Sequence, residues 1–73
     1  MSTRSLPDDA FSAEFPEAMG RPANAALVAH GLTTVAQVAR MTKRELLAIH
    51  GVGPKAVAVL EVELERRGLR LAE

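Results

Sequence analysis

Seventy-three residues allow one domain with a small core, and a chain this short needs a staple, a partner or very regular helix packing to be stable. The absence of cysteine excludes disulfides and thiolate metal sites, and no apolar run nears the roughly 20 residues that span a bilayer. Nine basic and nine acidic side chains cancel, which argues against a nucleic-acid binder driven by net charge. The balance is uneven, however, because residues 1–19 carry a net charge of −3 and residues 20–73 a net charge of +3. Any DNA affinity of such a mildly basic body would be modest and lost with salt. Met1-Ser2-Thr3-Arg4 lacks the apolar core of a secretory signal, so a soluble cytoplasmic protein is expected.

Residues 1–19 read as an acidic, flexible or loosely docked segment, and residues 20–73 as the folded domain. The first segment holds both aromatic residues, Phe11 and Phe15. Four apart, they would share one face of a helical turn and dock onto an aliphatic core. A first helix opens at Gly20-Arg21-Pro22, carries Ala23, Ala26, Leu27 and His30 at helical spacing, and stops at Gly31. Thr34 with Gln37, and Thr42 with Glu45, form two capping-box patterns. They open a short second helix, with Val35 and Val38 facing inward, and a third with Leu46, Leu47 and Ile49 as its apolar stripe. A fourth helix is predicted from Pro54 to Arg67, buried through Val57, Leu60 and Leu64 and broadened by Val59 and Val62. Gly68 ends it, and Leu69 and Leu71 fold back. No strand-like alternation occurs. The predicted fold class is all-α, a compact bundle of four to five short helices ending in a helix-hairpin-helix.

The most informative stretch joins the last two helices, Leu46-Leu47-Ala48-Ile49-His50-Gly51-Val52-Gly53-Pro54-Lys55. Gly51 and Gly53 would let the chain turn through angles that side chains forbid, with Val52 plugging the turn from inside. Pro54 suits the first helical position, where its missing N–H costs nothing. The loop amides then face outward at a helix N-terminus that favours an anion, with Lys55 placed to reach a phosphate. Two readings stay open on this evidence: a grip on nucleic-acid backbone, or a tight connector between packed helices.

From Arg21 to Leu71 the chain resembles the C-terminal domain of the bacterial RNA polymerase α subunit. Three passages carry the resemblance: Leu32-Thr33-Thr34-Val35, the hairpin from Leu46-Leu47 to Val52-Gly53-Pro54-Lys55, and the ending Arg67-Gly68-Leu69-Arg70-Leu71. The resemblance implies a compact helical domain in which Arg21 and Asn24 insert toward the DNA minor groove while Gly53 and Lys55 contact phosphates. Ala56 stands where that family often has a hydroxyl. The polymerase assembly domain is missing, so the chain resembles a free-standing relative of one domain.

The expected DNA-contacting set is therefore Arg21, Asn24, Arg44, His50, Gly51, Val52, Gly53 and Lys55. Arg21 would enter a narrow A·T-rich groove, and Asn24 would meet a base edge whose readout there is degenerate. His30 and His50 are too few for a metal site, and no set of nucleophile, base and orienting group stands out. No cofactor, metal or catalytic residue is expected. Glu61, Glu63 and Glu65 make the middle of the last helix acidic, which confines any DNA surface to the hairpin, Arg21 and Arg44. The resulting expectation is a monomeric, transcription-related bacterial DNA-binding module of weak or no sequence specificity. The alternative is an adaptor of the same fold that binds RNA polymerase, a sigma factor or a transcription regulator.

Overall fold

A computed structural model describes residues 11–73, and the expectations placed on residues 1–10, including acidic Asp8 and Asp9, lie outside them. The fold is all-α, as its patterning requires. A single 3-10 turn, Glu17–Met19, leads into α1 (Arg21–Ala29), α2 (Val35–Val38), α3 (Lys43–Leu47) and α4 (Pro54–Arg66). The chain contains one isolated bridge, between Thr42 and Ala72, and no strand among the described residues. There Ala72 N–H donates to Met41 O at 2.9 Å, pinning the C-terminal tail beside the start of α3.

Both capping boxes form. In α2, Thr34 Oγ1 accepts from Gln37 N–H at 3.1 Å and Gln37 Oε1 accepts from Thr34 N–H at 3.0 Å. In α3, Thr42 and Glu45 repeat the exchange at 3.0 and 2.9 Å. The two longer helices share an ending instead. Leu32 N–H reaches back to Leu27 O and Leu69 N–H to Leu64 O, both at 2.8 Å, across Gly31 and Gly68 in left-handed conformation. This is the Schellman arrangement, which satisfies the last carbonyls of a helix.

The core joins Phe15, Met19, Leu27, Val35, Val38, Leu46, Ile49, Val52, Val57, Leu60 and Leu64 with small Ala23 and Ala56. Its composition corrects three expectations. Val62 is 59% exposed: two residues from both Leu60 and Leu64, it sits some 200° round α4 from the buried stripe. Leu47 and Leu69 are exposed as well, and only Leu71 of the tail packs on the core. Phe11 and Phe15 do not share a face, because Phe15 is buried while Phe11 is 47% exposed. The turn closed by Phe15 N–H on Ser12 O replaces the helical turn that would have aligned them. Phe15 and Met19 also extend the buried cluster back before residue 20.

Near the end of α4, Glu63 receives Arg67 Nε at 2.8 Å and Arg66 Nη1 at 3.0 Å. The Arg67 hydrogen bond, with the charge of Arg66 added, holds the Glu63 carboxyl below its ordinary value of 4.5. A carboxyl lowered in the folded state contributes stability above its unfolded pKa and loses it as pH falls through the folded one. Glu63→Gln should therefore lower the Tm slightly at pH 7 and by less as the pH falls below the ordinary carboxylate range, as thermal melts across that range would read.

Candidate nucleic-acid interface

Gly51 sets the geometry of the hairpin. Its φ of +98° lies in the region L side chains avoid, and a Cβ there would stand 3.0 Å from Ala26 Cβ and 3.7 Å from Pro22 O. The loop thus lies directly against the first turns of α1. This contact brings the Arg21 end of α1 beside the hairpin, two segments separated by thirty residues of chain. Val52 is buried as the plug of the turn, and its N–H donates to Ile49 O at 3.0 Å. His50, Pro54 and Lys55 are exposed around it, as is Arg21.

Gly53 departs from expectation. Its φ is −108° and its ψ 179°, an extended conformation open to any residue, and a Cβ there meets nothing within 4 Å. Neither strain nor crowding within the chain calls for glycine at this position. As the N-cap of α4 it provides no side-chain acceptor, and Gly20 leaves α1 equally uncapped. The contrast with α2 and α3, each closed by a full capping box, is sharp. The two longer helices therefore begin with positive ends that no side chain neutralises, and the Gly51 contact sets the α4 loop beside the first turn of α1.

The charges divide in the same way. Every ion pair among the described residues involves Arg66 or Arg67 with Glu63 or Glu14, at the far end of α4. Arg21, Arg44 and Lys55 have no acidic partner among the described residues. Arg44 lies exposed in α3, and no ion pair involves it among the described residues. Among the described residues no group of histidine and carboxylate side chains is arranged to hold a metal, and no helix is long and apolar enough to cross a membrane.

Asn24 is not presented to a ligand, contrary to its expected role. It is 2% exposed, and both its oxygen and its nitrogen are bonded within the chain. Asn24 Oδ1 accepts from Ser12 N–H at 2.8 Å, and Asn24 Nδ2 donates to Ser12 O at 2.9 Å. A side-chain amide reproduces both groups of a peptide bond, so Asn24 pairs with Ser12 much as a neighbouring strand would. Ser12 Oγ adds a bond to Thr33 O at 2.6 Å, and Glu14 Oε1 accepts the first amide of α2 from Val35. Residues 11–14 thereby form a strap over α1, which places Phe11 against Arg21 with the guanidinium carbon 5.4 Å from the ring centroid. Sequence reasoning missed Phe11 as a neighbour of the interface; the only signal was its pairing in sequence with Phe15, and that pointed the wrong way.

Asn24→Ala would leave the buried Ser12 N–H unpaired, while Ser12 O keeps its bond from Phe15 N–H, and should cost about 1–3 kcal/mol in chemical denaturation. Asn24→Asp, which loses the donor and buries a charge, should cost at least as much.

Compared with protein-family models, curated proteins and solved structures, the chain matches none of them.

Proposed function

We propose that this chain is a small DNA-binding module that holds the phosphate backbone with its hairpin and reaches the minor groove with Arg21. The observation that carries the reading is Gly53, a glycine that the chain's own conformation and packing do not require, at the uncapped start of α4 and next to exposed Lys55. A bare backbone allows a phosphate to approach the helix N-terminus closely, and the adjacent cation reinforces it. Gly51 and Val52 hold the loop in shape, and exposed His50 immediately precedes it, whereas Arg44 lies apart in α3. Arg21, unpaired among the described residues at the neighbouring helix start, suits a narrow A·T-rich groove with its enhanced negative potential. Asn24 serves this surface as an anchor rather than as a contact. With readout limited to groove width and backbone, sequence preference is weak. The resemblance to the polymerase α C-terminal domain adds a bacterial, cytoplasmic, transcription-related setting and a monomeric state.

A specific observation also favours the adaptor. Ala58, Val62, Leu69 and Leu71 line a shallow groove of about 500 Å³ between α4 and the tail, edged by Glu61, Glu65 and Arg70. Glu61 and Glu65 have no ion-pair partner among the described residues, unlike Glu63 between its two arginines. An acidic, partly apolar groove repels DNA and suits a protein surface, such as one on RNA polymerase, a sigma factor or a transcription regulator.

Titration of a short A·T-rich duplex into the labelled protein should shift Arg21 and Gly51 through Lys55 at low salt. Two cations at the DNA, Lys55 on the backbone and Arg21 in the groove, imply a slope between about −1 and −2 for log affinity against log salt. Lys55→Glu should abolish binding with the fold intact; unchanged affinity would sink the hairpin assignment, and silence of the wild type would favour the adaptor. Gly53→Ala separates function from stability. The loss of a preferred N-cap residue and the gain in chain entropy oppose each other and leave a small change in Tm, yet DNA binding should weaken. Gly51→Ala should instead destabilise the fold by about 1–3 kcal/mol.

A further inference from the structure

The half-exposed ring of Phe11 stands against Arg21 of the proposed DNA surface. It stands at the rim of a groove of about 380 Å³ lined by Pro16, Glu17, Gly20, Arg21 and Asn24. A half-exposed aromatic side chain would normally be free to change rotamer. Here the next residue is fixed from two sides, by Asn24 on both atoms of its peptide and by Thr33 O on its hydroxyl. The buried polar strap therefore delivers the Phe11 ring to one place, under the guanidinium of Arg21. A planar guanidinium stacks well on an aromatic face and keeps its N–H groups in the ring-parallel plane, free to donate outward.

We infer that Phe11 is a positioning residue for Arg21: its ring holds the guanidinium extended beside the start of α1, so that the arginine meets a DNA groove already ordered. This rests on the DNA-binding reading above and deepens it. A long arginine side chain otherwise loses rotamer freedom on binding, and a ring that restrains it in advance removes part of that cost. Asn24 enters the same scheme indirectly. Its amide secures Ser12, Ser12 sets Phe11, and Phe11 sets Arg21, so an asparagine buried away from solvent still governs the arginine three residues before it.

The test compares wild type, Phe11→Ala, Phe11→Tyr, Arg21→Ala and the Phe11→Ala/Arg21→Ala double variant, using the same A·T-rich duplex and thermal melts. Phe11→Ala should weaken binding about two- to fivefold, because the freed arginine again loses rotamer freedom on binding, with an unchanged salt slope and a Tm lowered by only a few degrees. Phe11→Tyr should restore it. In the Arg21→Ala background, Phe11→Ala should have no further effect, which a merely structural role for the ring would not produce. Without DNA, the Arg21 side-chain proton resonances should carry a ring-current shift that Phe11→Ala removes. Tighter binding by Phe11→Ala would make the ring a mask and overturn the inference, as would additive losses or an absent ring-current shift. Those results leave Lys55-dependent DNA binding standing, whereas a wild type that binds no duplex removes both readings together.

Discussion

The structure depends on the buried stripe of α4. The helix α2 has four residues and α3 has five, lengths at which nucleation costs outweigh the few internal hydrogen bonds gained. Neither would persist in isolation. They are held because Val35, Val38 and Leu46, with no exposed surface at all, share one cluster with Val57, Leu60 and Leu64 of α4. The capping boxes determine where these short helices begin, and the stripe determines that they exist. This division of labour is economical in a chain with no disulfide and only small aromatic content.

A second, polar layer closes the fold from the N-terminal side. Ser12 bonds Asn24 and Thr33, while Glu14 takes the first amide of α2 and lies 3.7 Å from Arg67. One short strap thus touches α1, the α1–α2 loop, the start of α2 and the end of α4. Each bond joins residues far apart in sequence, and the Asn24 pair is buried, where an unpaired polar group is costly. Phe15 and Met19 follow it into the core. The strap also decides which polar groups near α1 remain available to a partner: it consumes Asn24 and leaves Arg21 exposed.

Charge is arranged along α4 as on a short rod. Arg66 and Arg67 spend their charge on Glu63 and Glu14 at its C-terminal end, while Lys55 at its N-terminal end has no acidic partner among the described residues. Between them Glu61 and Glu65 face a groove of their own. A neutral total therefore conceals a molecule whose ends offer different chemistry. The proposed contacts with DNA use only the first turn of α4 and its neighbour α1, while the acidic groove lies roughly 10–16 Å further along the helix.

The sequence alone determined the helical class, both capping boxes, the glycine stops at Gly31 and Gly68, and the inward plug Val52, since each depends on residues within one turn of each other. Helical spacing also identified Leu27, Leu60 and Leu64 as buried. It overextended the stripe to Leu47, because a short helix buries only the face its few neighbours reach, and to Val62, which the helical repeat turns away from the core. The glycines of the hairpin looked alike locally, yet Gly51 is held by a left-handed turn against Ala26 and Gly53 by neither turn nor crowding. Only the tertiary structure could separate them, as it alone brought Ala26 to the loop. The same holds for Asn24, whose partner lies twelve residues away, and for Phe11, whose place under Arg21 follows from that bond. Local chemistry is written in neighbouring residues; the availability of a side chain to a partner is decided by what the rest of the chain lays across it.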